Sequence, residues 1–190
     1  MRWNTRVTRK LTEDGIIREE DIDIVEYGFA CMVSNFIGIG VTFIMGSVFG
    51  DVLEAIILCC MVFPLRKCAG GFHADTRGKC FFLSTGLLLL SCLLFFKLSW
   101  TDYNYMIIVC ISAGIIWNLS PIENENKRLD ETERQVYRRR TRILLVSESL
   151  LFILSFLLGW AEMQRIIAMS LFIVGAVVVT GKMKTVRNQW

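Results

Sequence analysis

Residues 29–49 form a run of 21 residues without a charge, about the ~20 that an α-helix needs to cross the ~30 Å hydrocarbon core of a bilayer. Apolar blocks recur at 81–96, 103–120, 143–160 and 166–181. A shorter block of 14 residues, 52–65, carries Glu54 near its start and Pro64 near its end. Such blocks permit few folds. Lipid offers the backbone no hydrogen-bond partners, so a chain that crosses it this way must be helical. The expected fold is all-α, a polytopic membrane protein of six transmembrane helices. At ~1.5 Å per residue the second block reaches only about 21 Å, so it is expected to be short or partly re-entrant. The polar residues after it would then lie at the membrane surface. A hydrophobic fraction of 54% and a mean hydropathy of +0.49 exceed the ~45–50% apolar content of soluble domains.

Charge orients the blocks. The first 28 residues carry twelve charges, with Arg2, Arg6, Arg9 and Lys10 followed by an acidic group, and show no apolar signal region. They are expected to form an N-terminal amphipathic, interfacial helix on the cytoplasmic side. Six crossings then put 1–28, 66–79, 121–142 and 182–190 inside. Of the 21 Lys and Arg residues 19 fall there, leaving only Lys97 and Arg165 outside, as the positive-inside rule requires. Counting 52–65 as non-spanning would invert the later loops and expose the densest basic segment. Both termini are therefore expected in the cytoplasm of a multi-pass cell-membrane protein. Trp100, Tyr103 and Tyr105 read as an interface anchor. No internal repeat is visible, which argues against an inverted-repeat transporter.

Five of the seven cysteines (Cys31, Cys59, Cys60, Cys92, Cys110) lie within apolar blocks, where thiols act as small hydrophobes. A disulfide framework is not expected in a reducing cytosol. The remaining two belong to a polar stretch, Arg66-Lys67-Cys68-Ala69-Gly70-Gly71-Phe72-His73-Ala74-Asp75-Thr76-Arg77-Gly78-Lys79-Cys80, which also holds the only histidine. A cysteine nucleophile must become a thiolate, and a histidine can take its proton and later give one to a leaving amine. His73 and Cys80 supply both groups. On one continuous helix they would stand ~10 Å apart, so the chain must turn between them. Gly70, Gly71 and Gly78 provide freedom for such a turn. Cys80 is expected at the start of the third helix, where the helix dipole and free N–H groups favour a thiolate and could hold an oxyanion.

The same residues admit blander readings: a basic loop with a structural histidine, or a metal set of Cys68, His73 and Cys80, which lacks a fourth ligand. Cys68 is the alternative nucleophile. Asp75 could orient His73 or be a solvated carboxylate, and the third catalytic group is not readable. Glu148, within an apolar block, is either a functional group or a structural partner of a nearby cation.

The pattern Arg66, Gly70-Gly71, Phe72-His73-Ala74, Cys80 resembles the core signature of the accessory gene regulator B (AgrB) family. Chain length, the Tyr27-Gly28 approach to the first block, the six blocks and the Pro121-led basic loop are similar to that family too. The resemblance implies a membrane cysteine endopeptidase of a quorum-sensing, AgrD-like propeptide. It would cleave on the C-terminal side of the peptide's core through a thioester and close a thiolactone or lactone ring. By motif position Cys80 is the nucleophile and His73 the base, with Arg66 and Gly71 supporting. Such precursors have an acidic C-terminal segment, for which Arg134, Arg138, Arg139, Arg140 and Arg142 form a docking surface. Anionic lipid contact is the other use of these arginines.

The family's loop is usually richer in lysine and proline than this arginine-rich one. The chain is expected to be one membrane domain over 1–190, with a catalytic segment at 66–80 and a basic cytoplasmic loop at 121–142. Partners are the propeptide and the bilayer. Small residues such as Gly38, Gly40 and Gly46 suit a homodimer. No cofactor, metal or nucleic acid is expected. The rival function is a non-enzymatic transporter or peptide-export component that works through Glu54 and Glu148.

Overall fold

The computed structural model describes the backbone of Thr12, Arg18 and residues 22–71, 77–122 and 130–187. It describes their side chains except at 23, 24, 26, 27, 30, 31, 77–80 and 187. Among these residues the elements are six helices: α1 (Ile22–Phe49), α2 (Val52–Ala69), α3 (Arg77–Lys97), α4 (Asp102–Leu119), α5 (Glu131–Leu157) and α6 (Ala161–Arg187). The interfacial helix expected over 1–28 lies mostly outside the described residues, and from Ile22 the chain already belongs to α1. Two compact units divide the chain, Met1–Val41 and Thr42–Trp190. The packing below is that of the second.

α6 is central, touching α2, α3, α4 and α5. Ile167, Met169, Leu171, Val174 and Val178 are buried along it, as befits a helix apolar on every side. Its neighbours each bury a narrow stripe: Ala55, Leu58, Val62, Leu65 and Ala69 on α2; Tyr105, Val109, Ser112 and Ile116 on α4; Thr141, Leu145, Glu148, Phe152 and Ser155 on α5. The alternating three- and four-residue steps are those of helices packed nearly side by side. The opposite faces are apolar as well: Leu90 and Leu93 of α3, Ile107 and Ile111 of α4, and Leu150 and Leu154 of α5 are exposed. A surface of that character matches lipid rather than water. Met32–Phe49 and Ala161–Val186 are the two stretches among the described residues long and apolar enough to cross a bilayer. The other helices fall short for local reasons: α2 holds Glu54, Arg66 and Lys67, and the first half of α5 is charged.

The second apolar block is not broken. α2 runs 18 residues through Pro64, because Arg66 to Ala69 continue the helix beyond the apolar run. At ~1.5 Å per residue the helix is about 27 Å long, but its last turn carries Arg66 and Lys67, so its apolar length is still that of the 52–65 block. Asp51 caps its start, Oδ1 accepting the Glu54 N–H at 2.7 Å, which satisfies an otherwise orphaned donor. Gly46 of α1 lies so close to Ala55 that an added Cβ would stand 2.8 Å from the alanine Cβ. That glycine serves contact within the chain. Trp100 and Tyr105 stack on Phe95 at centroid distances of 5.7 and 6.3 Å, whereas Tyr103 is exposed. Of the expected interface anchors, two therefore pack inward.

Near the starts of α2 and α6 the buried Glu54 carboxylate pairs with Arg165. The Arg165 guanidinium also lies 4.5 Å from the Phe96 ring centroid. Glu54, open in the sequence between function and structure, thus has a structural partner. Removing one member of a buried pair leaves the other uncompensated. Glu54→Gln is expected to lower the unfolding free energy by about 2 kcal/mol, below the usual ~3–5 for a buried pair because Arg165 keeps some solvent contact. Thermal unfolding in detergent would show it, and an unchanged midpoint would contradict it.

Candidate active site

Away from the Glu54–Arg165 pair, several chain ends converge. The last turn of α2 carries Arg66, Lys67 and Cys68, and the Gly70 N–H closes it by donating to the Arg66 carbonyl at 3.1 Å. Gly70 (φ 70°) and Gly71 (φ 134°) both adopt positive φ, which side-chain-bearing residues avoid. They are also tightly enclosed. Ile122 donates its N–H to the Ala69 carbonyl at 3.0 Å and pairs with Gly70 in an isolated parallel bridge. A Cβ on Gly71 would stand 2.5 Å from Val177 Cγ1 and 2.9 Å from the Val177 carbonyl oxygen of α6. The glycine pair is therefore required by close backbone approach. The turn expected between His73 and Cys80 falls on residues 72–76, outside the described residues.

α3 begins at Arg77, four residues before the apolar block, so Cys80 occupies its first turn. Backbone N–H groups there lack intrahelical acceptors, and the helix dipole favours an anion. The Cys80 side chain, and all of His73 and Asp75, lie outside the described residues. Arg66 is described, and its Nη2 donates to Ser84 Oγ at 3.3 Å. Ser84 is one turn beyond position 80, on the same face of α3. Arg66 thus ties the end of α2 to the helix face that carries Cys80.

Cys68 is half-buried. Burial pushes its thiol above the ordinary range, with the positive charges of Arg140 and Lys67 pulling partly the other way. Since the thiolate is the reactive form, iodoacetamide should label Cys68 slowly at neutral pH and faster as the pH rises past the usual thiol range. Peptide mapping would follow this, and labelling already maximal at pH 7 would contradict it.

The expected basic loop is largely helix. α5 starts at Glu131 behind a capping box, in which the Asp130 side chain accepts from the Glu131 N–H at 2.7 Å and Glu133 accepts from the Asp130 N–H at 3.3 Å. At ~100° per residue Arg134, Arg138 and Arg142 follow one another on one face of α5, with Arg139 on its flank and Arg140 on the other side of the helix. Arg134 sits in the exposed first turns within 3.9 Å of Glu131. Arg140 lies on the flank towards Cys68. Arg138, Arg139 and Arg142 share an outward stripe, with the Arg142 guanidinium 4.5 Å from the Trp117 ring centroid. Glu148 is buried between α5 and α6 and accepts a hydrogen bond from Ser170 Oγ at 3.2 Å. A hydroxyl, in place of the cation considered from sequence, is its partner there. Sequence reasoning did not find Ser84, Ile122 or Val177, for which no local signal exists.

Comparison with known proteins matches residues 4–180 to the family described as Accessory gene regulator B. An AgrB-like protein of Clostridium perfringens (strain SM101 / Type A) is 28% identical over 175 residues, covering 84% of this chain and 80% of the relative. AgrB-like protein 2 of Clostridium perfringens (strain 13 / Type A) is 26% identical over 181 residues, covering 87% and 83%. No solved structure matches. With a family match over nearly its whole length, the chain belongs to the accessory gene regulator B family, and its role lies in agr quorum sensing.

Proposed function

We propose that the protein is a membrane-embedded cysteine endopeptidase that cleaves an AgrD-like propeptide on the C-terminal side of its core. The observation that carries this reading is the placement of Cys80 in the first turn of α3, on the face that Arg66 reaches through Ser84. In the proposed reaction His73 takes the Cys80 proton and the thiolate attacks the scissile carbonyl. The first-turn N–H groups of α3 stabilise the oxyanion. The tetrahedral species collapses as His73 protonates the leaving amine, so the C–N bond breaks and a thioester to Cys80 remains. A thiol of the bound peptide then displaces Cys80 and closes a thiolactone. One thioester replaces another, so the step needs water excluded rather than an energy source. Asp75 is proposed to orient His73, and Gly71 to set the entry of the catalytic segment.

Six crossings put this site at the cytoplasmic surface, with the charge asymmetry and the apolar outer faces in support. The arginine-rich start of α5 receives the acidic C-terminal segment of the precursor, Arg140 being nearest the polar stretch. The transporter alternative depends on Glu54 and Glu148, and both have packing partners in Arg165 and Ser170. Purified protein in detergent micelles, where no compartments exist, separates the two readings. Release of the acidic fragment there is expected. An intact propeptide in micelles, together with its transfer across sealed vesicles, would support transport.

A further inference from the structure

The outward stripe of α5 crosses from charge to hydrocarbon along one line. Arg138, Arg139 and Arg142 occupy its first half, and Ile143, Val146 and Leu150 continue it on the same open face of the helix. The stripe faces away from the buried one (Thr141, Leu145, Glu148, Phe152, Ser155), and Arg140, near Cys68, is not among its lining residues. Its polar-to-apolar boundary falls at Arg142, which lies over the half-exposed ring of Trp117. An arginine stacked on a tryptophan marks the level of lipid headgroups.

We infer that this stripe is a binding site for an anionic phospholipid, the phosphate held by Arg138, Arg139 and Arg142 and one acyl chain lying along Ile143, Val146 and Leu150. Charge complementarity selects an anion, because the stripe's first half holds three arginines, and guanidinium forks match phosphate oxygens. The apolar continuation selects a ligand with a long hydrocarbon chain. Its direction selects a lipid over a peptide: the stripe continues along α5 into the exposed apolar surface that includes Leu154 and Leu157, a surface suited to acyl chains. The inference takes Arg138, Arg139 and Arg142 from propeptide docking, leaving Arg134 and Arg140 for the acidic segment, and does not rest on the proteolytic chemistry.

Native mass spectrometry of the full chain released from micelles containing equal phosphatidylglycerol and phosphatidylcholine, matched in acyl chains, tests it. The wild type should retain phosphatidylglycerol in preference by about tenfold, equivalent to ~1.4 kcal/mol. Arg138→Gln/Arg139→Gln should bring the preference to within about twofold, while Arg138→Lys/Arg139→Lys keeps most of it. Arg140→Gln, on another face of α5, should leave it unchanged. Glycerol 3-phosphate at millimolar concentration should not displace the lipid, since it lacks the acyl chain. An unchanged preference in the double glutamine variant, an equal loss in Arg140→Gln, displacement by glycerol 3-phosphate, or displacement by an acidic peptide would each overturn the site.

Discussion

Cys80→Ala is expected to lower release of the propeptide's C-terminal fragment by at least about three orders of magnitude, the scale on which covalent nucleophiles fail when removed. The expectation comes from position. The polar stretch offers two thiols, and the structure distinguishes them. Cys68 sits in the last turn of α2, at the negative end of that helix dipole, and burial pushes its thiol upward. Cys80 sits in the first turn of α3, at the positive end. Cys68→Ala is therefore expected to stay within about twofold of the wild type. Quantifying the acidic fragment after co-expression with the propeptide would check both. Substantial release by Cys80→Ala, with loss in Cys68→Ala, would move the nucleophile to α2.

Gly71→Ala should be severely damaging although Gly71 takes no part in the bond changes. At φ 134° an alanine is strained by about 1–3 kcal/mol, and its methyl would press on both the Val177 side chain and carbonyl. Overpacking of this kind costs a further ~1–3 kcal/mol. A combined loss of about 4 kcal/mol is a large part of the ~5–15 kcal/mol that folded chains have, and it falls on the segment leading to His73. Val177→Ala in the same chain should restore part of the loss by removing the Cγ1 contact, leaving the carbonyl contact and the φ strain. Unfolding in detergent would measure the first effect and propeptide processing the second. Wild-type stability in Gly71→Ala would refute the close approach.

The positions of the helices were legible because long uncharged runs have few other uses. Their ends were not. α2, α3 and α5 each extend past the apolar block into charged residues, since a helix need not stop where lipid stops. For α5 the signal was present: Asp130 followed three residues later by Glu133 is a capping pattern that marks a helix start. Which face of each helix is buried was also hidden. In lipid the outer face is as apolar as the inner one, so Leu145 and Leu154 of α5 look alike in sequence although one is buried and the other exposed. The Cys/His pattern and the family resemblance could be read from local spacing. The contacts that frame the site join residues far apart, Ile122 with Gly70 and Val177 with Gly71, and no local pattern announces them. Glu54 and Arg165 pair across 111 positions for the same reason.

The central claim is that Cys80 carries the acyl group. Intact-protein and peptide-level mass spectrometry of the purified chain would test it, using a propeptide whose ring-closing cysteine is replaced by alanine so that the thioester cannot be passed on. The account predicts one adduct with the mass of the propeptide's N-terminal portion, mapped to Cys80, removed by hydroxylamine and absent from Cys80→Ala. An adduct on Cys68, or cleavage that persists in Cys80→Ala, would contradict it.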